Sequence, residues 1–439
     1  MLYERTSYQS KMLVAVGMIV YLILAARSLT NSDQLDLFVY RYGSETALEG
    51  QSPYDVALLR AKAVQAFPPK HADDFALNCG YFLPPQAIAM FVPAAKSSWS
   101  GAEVGWFCVL TLMAVCCGTL AWTFGRTPSR QGTGWAVLVL TVLLNPVTMP
   151  MLVIGQTGLF FVGCIALGQY CFENRGPRMG CFLWALTFVK PQLAIPFFVL
   201  AWILGGWKRA AGIAVVVGGL NLLGGLIVTG SLDGAILLFL DYIDYVGSAH
   251  KLVKYNLVEF NYQILSWNRF VAALGGPAID LKARMILAGF AVWGGLILVR
   301  LRLGAPWRVA LSSARLDSAF LLAIAVAAAL FFAQVLAYEL ILIVLLAPLI
   351  LQHIDRGQRW DAYALIGIVL FLLMPMSTTD RIADLFRFDE GARERTLLRS
   401  HRCFGMAALA LYLLIRGPAE VAVEITPPRP AADSSDILE

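Results

Sequence analysis

The sequence predicts an all-α polytopic membrane protein, and three observations predict it: an excess of apolar residues, their grouping into long runs nearly free of charge, and basic residues gathered in the gaps between runs. Of 439 residues, 59% are apolar and only 14% are charged, more apolar side chain than the core of a water-soluble domain can hide. The excess is expected to face lipid. The runs Met12 to Leu29, Val104 to Phe124, Trp135 to Leu152, Ile213 to Thr229, Arg284 to Val299, Phe320 to Ala333 and Leu340 to Leu351 approach the ~20 residues that ~30 Å of hydrocarbon requires. They read as helices, because a helix satisfies its own backbone where no water is present. The net charge of +5 would point to nucleic acid in a soluble protein. Here the basic residues lie between apolar runs and not in a patch, so they report topology and no nucleic-acid partner is expected. Eight cysteines are present, but only Cys79 is clearly in a polar loop, which implies neither a disulfide framework nor a zinc site. The first run follows Arg5 and Lys11 and is read as a retained anchor instead of a cleaved leader. It is long enough for a full span, and the cleavage-site pattern near Ala25 and Ala26 is weak.

With the amino terminus inside, residues 30–101 form a first outer loop. Leu35, Phe38, Val39, Tyr42, Ala47 and Leu48 have helical spacing, which predicts an amphipathic helix lying on the membrane surface. Pro84 to Ala95 is apolar but too short to span, so it is expected to form a second surface or re-entrant helix opened by the two prolines. The chain then runs inward to Arg126, outward to the Gly155-Gln156-Thr157-Gly158 turn, and inward again to Arg178. Lys208 and Arg209 should also be inside, although only 180–206 separates them from Arg178. A break at Lys190-Pro191-Gln192 into two half-helices restores the parity, since proline removes a donor and disfavours helix in the residue before it. Further spans follow around a second outer loop, 231–282, giving about twelve membrane segments of a length set by the hydrocarbon. All of 1–425 reads as one transmembrane domain, and the proline-rich tail 426–439 is expected to be disordered.

Polar groups at membrane depth are expensive, so each is a functional candidate to be weighed against a bland reading. Asp36, just past the first span, suits a general base that takes a proton from an acceptor hydroxyl. It equally suits a helix cap or an interface marker, with Asp33 and Asp55 as rival carboxylates. Lys190 beside its proline would meet free backbone donors at the break and support an anionic phosphate, or else snorkel to an interface. Asn261, Gln263 and Arg269 combine amides with a cation around Tyr262 and Trp267, a set suited to sugar hydroxyls and a phosphate; spacing alone fits an ordinary loop helix as well. Gln156 and the pair Tyr338-Glu339 sit at outer ends of spans. No nucleotide loop, dinucleotide fingerprint, nucleophile elbow or histidine metal motif is present, so neither cofactor nor metal is expected.

The order of these pieces resembles a known family. Asp36-Leu37-Phe38-Val39-Tyr40, Gly50-Gln51-Ser52-Pro53-Tyr54-Asp55 and Tyr81-Phe82-Leu83-Pro84-Pro85 look like the first outer loop of glycosyltransferase family 87. Gly155-Gln156, Lys190-Pro191-Gln192 with Trp207-Lys208-Arg209, the Asn261 to Arg269 segment and Tyr338-Glu339-Leu340 follow in that family's order. Two departures are an extra residue within Asn261-Tyr262-Gln263 and a glutamate at position 339 where an aspartate is common. The resemblance implies a GT-C-type bundle in the cell membrane that transfers a sugar, typically mannose, from a polyprenyl-phosphate donor to a lipid-linked or glycan acceptor at the outer face. It also implies inversion at the anomeric carbon, with Asp36 as base. Gln156, Lys190, Asn261, Gln263, Arg269, Tyr81, Tyr338 and Glu339 would then line the substrate site. A transporter or flippase of lipid-linked sugars, or a lipid-linked glycan polymerase or ligase, are the competing readings; paired inverted repeats, which would favour a transporter, are not evident.

The topology is tested by single-cysteine labelling in intact cells with an impermeant thiol reagent: Ser52→Cys is expected to react from outside and Arg126→Cys only after permeabilisation.

Overall fold

The computed structural model describes residues 2–29, 35–66, 80–124, 128–174, 176–249, 264–265, 270–271, 274, 281–302, 318–333, 335–389 and 393–416. Their regular structure is helical apart from one two-residue strand pair. Helices α1 (Leu2–Leu29), α2 (Leu35–Leu48), α3 (Val56–Ala66) and α4 (Pro85–Lys96) make up the amino-terminal part. They are followed by α5 (Trp99–Cys116), α6 (Thr119–Phe124), α7 (Pro128–Leu143), α8 (Thr148–Ile154), α9 (Gly158–Glu173), α10 (Pro177–Leu186) and α11 (Pro191–Thr229). The rest comprises α12 (Leu232–Ala249), α13 (Leu281–Arg302), α14 (Ser318–Phe332), α15 (Ala347–Asp355), α16 (Arg359–Leu373), α17 (Met376–Leu385), α18 (Arg393–Arg399) and α19 (His401–Arg416). Among the described residues, two stretches are long and apolar enough to cross a membrane, Trp99–Phe124 and Pro191–Thr229, or up to four if each sharply bent pair is one span.

Burial is distributed as lipid as solvent would have it. The centre is α14, buried on nearly every side from Ala319 to Phe331, which is what a helix apolar all round requires. At the periphery large apolar side chains are exposed: Met12, Leu13, Ile19 and Ile23 on α1, Val215 and Leu223 on α11. Tyr21 and Ala25 turn the opposite face of α1 inward, and the Tyr21 hydroxyl is hydrogen-bonded at 2.8 Å to that of Thr111 on α5.

The expected break at Lys190 is present. Helix α10 tightens into a 3₁₀ turn, Thr187–Val189, Lys190 leaves helical geometry (φ −126, ψ 77), and Pro191 opens α11. A second break lies at Gly206 (φ 70, ψ −176), just before Trp207-Lys208-Arg209. At 1.5 Å per residue, the arms on either side of Lys190 are each roughly 20 Å long, short of a full crossing. They form an out-and-back excursion that carries the lysine and returns Lys208 to the side of Arg178. Helices α7 and α8 bend by 52° where Asn145 accepts the Val147 amide at 2.9 Å; α16 and α17 bend by 84°. Past that second bend, Asp380 and Asp384 pair with Arg399 and Arg395 at 2.7 and 3.0 Å.

Two expectations are revised. Helix α2 does not lie on a surface with one face out: Leu37, Phe38, Tyr40, Ser44, Thr46 and Ala47 are all buried, because α4 covers it and it also meets α8 and α11. Within the second outer loop lies the 18-residue helix α12. The run Leu340 to Leu351 begins as a 3₁₀ helix, Ala337–Leu346, before turning into α15. The tail 426–439 lies outside the described residues.

Helix α4 starts as its prolines predict, with Pro84 extended and Pro85 at the first helical position. It is fixed to the second half of α11 by Asn221, whose Oδ1 accepts the Gln86 backbone amide at 3.2 Å while its Nδ2 faces Gln86 Oε1 at 3.4 Å. The backbones meet beside it: a Cβ on Gly224 would lie 1.8 Å from the Pro85 carbonyl oxygen. Gly224→Ala is therefore expected to push α4 off α11 and lower both thermal stability and activity, by the ~1–3 kcal/mol typical of overpacking. Gly218→Ala, where nothing lies within 4 Å, is the matched control and should be near neutral in a melting assay on detergent-purified protein.

Candidate active site

Four segments distant in sequence converge on a buried polar cluster. Helix α2 presents Asp36 in its first turn and Tyr40 one turn later, on the same face. The chain leaving α8 turns at Gly155, which is left-handed (φ 76) as a helix C-cap glycine often is, and so aims Gln156 back toward α2. The break at the head of α11 supplies Lys190, and the 3₁₀ run Ala337–Leu346 supplies Glu339. Lys190 Nζ donates to Gln156 Oε1 at 2.8 Å and to Glu339 Oε1 at 2.5 Å, and the Tyr40 hydroxyl donates to the same Gln156 oxygen at 3.3 Å. Lys190, Gln156 and Glu339 are each more than nine-tenths buried. An ammonium at this depth is tolerable because a carboxylate and an amide oxygen replace part of its water.

Asp36 keeps some accessible surface, while its carboxyl group is closely surrounded by protein. That enclosure raises its pKa above the ordinary carboxylate value; the nearby Lys190 charge lowers it and Glu339 raises it again. An aspartate so tuned is a stronger base than one in water.

Packing sets α2 at a defined height over the Gly155 turn. A Cβ on Gly155 would come within 2.7 Å of Leu37 Cβ, and the Gly155 carbonyl accepts from Trp106 Nε1 at 2.8 Å. Two turns along α2, Gly43 leaves room for the Tyr81 ring, which a Cβ there would meet at 2.3 Å.

The sequence-predicted residues divide accordingly. Asp36, Gln156, Lys190 and Glu339 come together. Tyr81 lies farther along α2, in a group of rings with Tyr54 at 5.8 Å. Tyr338 shares the 3₁₀ run with Glu339. Asn261, Gln263 and Arg269 fall outside the described residues, as does Asp33. The flanking strand Ile264–Leu265 nevertheless pairs antiparallel with Val335–Leu336, so the second outer loop is tied to the chain just before Glu339. The rival Asp55 is a helix cap, exposed and accepting the Ala57 and Leu58 amides at 2.9 and 3.1 Å.

Sequence reasoning assigned no role to Tyr40 or Trp106. The four-residue spacing from Asp36 is a signal for Tyr40; nothing in the sequence marks Trp106. Among the described residues no group of three or more His, Cys, Asp or Glu is arranged to hold a metal ion.

No curated protein matches the sequence. A family model described as glycosyltransferase family 87 matches residues 81–333. The match takes in Tyr81, Gln156, Lys190 and the Asn261 to Arg269 segment; Asp36 and Glu339 lie to either side of it and join the cluster through the fold. Since the matched stretch exceeds half of the 439 residues, the chain belongs to glycosyltransferase family 87 and is a glycosyltransferase.

Proposed function

We propose that this protein is a multi-pass membrane enzyme that moves a sugar, mannose being the first candidate, from a polyprenyl-phosphate donor to a lipid-linked or glycan acceptor at the outer face. The observation that carries this reading is the meeting of Asp36, Lys190, Gln156 and Glu339 from four remote segments. A polyprenyl phosphate already resides in the bilayer with its head group at an interface, where a break between two apolar half-helices would present Lys190 to it. A topology of about twelve membrane segments, each of a length set by the hydrocarbon, with residues 30–101 and 231–282 outside, would put the cluster on the periplasmic or extracellular side.

In the proposed reaction Asp36 accepts the acceptor hydroxyl proton as the oxygen forms its bond to the anomeric carbon. The bond from that carbon to the phosphate oxygen breaks on the opposite face, and its electron pair leaves with the lipid phosphate. One base and one leaving group on opposite faces invert the configuration. Lys190 supports the charge that grows on the departing phosphate, and Glu339 and Gln156 hold the ammonium in place and offer acceptors to sugar hydroxyls. Asn261, Gln263, Tyr338 and Tyr81 are proposed to complete the sugar and acceptor contacts, and Arg269 to contribute to the phosphate.

Asp36→Asn is expected to insert and to bind donor normally, yet to lose transfer by at least ~10²-fold, the low end of general-base contributions. Asp55→Asn should stay within a few-fold of the parent. Both are read by radiolabelled sugar transfer from a panel of polyprenyl-phosphate sugars to extracted lipids, and undiminished turnover in Asp36→Asn would remove that residue from the role.

The pH dependence follows from the direction of the Asp36 shift. A base with a raised pKa is protonated, and so inactive, at higher pH than an ordinary carboxylate, and activity should rise with pH through an acid limb displaced upward. Glu339→Gln removes a charge that raises the pKa, so its limb should move to lower pH; Lys190→Met removes one that lowers it, so its limb should move to higher pH. Profiles of kcat/KM for the three proteins check the signs.

A further inference from the structure

We propose that Arg284 is a phosphate-binding residue of the donor site, within about one helical turn of Lys190 in height; the assignment rests on the lipid-phosphate donor proposed above. Arg284 is 1% exposed, in the first turns of α13. A guanidinium withdrawn from water needs polar or anionic groups around it, from the protein or from a ligand, and the rest of the helix shows which way this one points. Ala288 and Val292, four and eight residues on, are fully buried, whereas Ile286 and Phe290 are 59% and 66% exposed. The arginine therefore stands on the interior stripe.

Its depth follows from two contacts. A Cβ on Gly289 would lie 3.7 Å from both Ile195 and Val199 on the arm of α11 that descends from Lys190. Farther along, the Trp293 ring meets the Trp202 ring edge-on at 5.3 Å. Residue numbers rise together on the two helices, so α13 and this arm run parallel. Gly289, five residues past Arg284, faces Ile195 and Val199, five and nine residues past Lys190, and Trp293, nine past Arg284, faces Trp202, twelve past Lys190, which puts the two cations within about one helical turn of each other along the arm. Packed helix axes lie about 8–10 Å apart, a gap that long side chains bridge.

The chemistry favours an arginine here. A lipid phosphodiester carrying a sugar has two free oxygens, and the guanidinium presents parallel donors that match such a pair, whereas lysine offers a point charge. When the sugar leaves, the phosphate becomes a monoester with more charge, so a fixed cation binds the transition state more strongly than the ground state. In the sequence Arg284 reads only as the opening residue of an apolar run, whereas Lys190 and Arg269 are the cations that the pattern offers for the phosphate.

The test uses full-length detergent-purified protein and two probes independent of the sugar: a polyprenyl monophosphate and the matching polyprenol, with binding followed by tryptophan fluorescence. The wild type is expected to bind the phosphate at least ten-fold more tightly than the alcohol. Arg284→Gln should lose most of that discrimination, and Arg284→Lys, which keeps the charge but not the fork, should lose several-fold with an unchanged melting temperature. A discriminating wild type whose Arg284→Lys variant discriminates equally well overturns the arginine alone, even where Arg284→Gln fails to fold. A lower melting temperature with discrimination intact would mark a structural ion pair and overturn it too. A wild type that binds both probes alike overturns the donor class itself, and this assignment with it.

Discussion

The compensation of one buried ammonium governs the arrangement of the site. Lys190 is withdrawn from water at the head of a broken helix, where desolvating an ion costs several kcal/mol and omitting its partner costs more. It is held by Glu339 and by Gln156, and each partner belongs to a different element. The turn after α8, the 3₁₀ run before α15 and the two arms around the lysine must therefore meet at one depth. Any packing that separated them would strand a charge, so the cluster restricts how the bundle can assemble as well as what it can do.

That meeting point also fixes the helix that carries the proposed base. Gln156 binds Tyr40 as well as Lys190, Gly155 admits Leu37 at close range, and Phe91 on α4 packs its ring 4.9 Å from that of Tyr40. Helix α4 is in turn anchored to α11 through Asn221 and the glycine beside it. Asp36 is thus positioned from below by the polar cluster and from the side by a helix clamp, although it has no long helix of its own to stabilise it.

Much of this could be read from the residues. Charge-free runs of spanning length, the parity problem between Arg178 and Lys208, and the proline after Lys190 were sufficient to place a break where one occurs. Asp36, Gln156, Lys190 and Glu339 stood out because each is polar beside apolar sequence. The burial of α2 was not legible, because its three-and-four spacing of apolar residues fits a membrane surface and a protein groove equally well; only the glycines at positions 43 and 155, which admit close neighbours, hint at the groove. Helix α12 was hidden by three aspartates that made its stretch look like loop. The depth of Arg284 depends on how α13 packs against α11, a long-range relation that no local pattern encodes.

The positions that meet in the polar cluster share a backbone property more than a side-chain type. Gln156 follows a left-handed glycine, Lys190 occupies a non-helical link before a proline, and Glu339 lies in a 3₁₀ run. In a medium without water an intact α-helix consumes its own donors and acceptors and turns its side chains toward lipid or neighbouring helices, leaving little with which to meet a polar substrate. Where the helix is interrupted, backbone groups and side chains are released together, and they can be tolerated only if they satisfy one another or a ligand. Charge alone is a poorer guide: Asp55 is an exposed cap and Lys208 an exposed residue beside Gly206. A polar residue adjoining a glycine or proline between two apolar runs, facing a second such residue across the bundle, is what separates the buried cluster from the exposed charges.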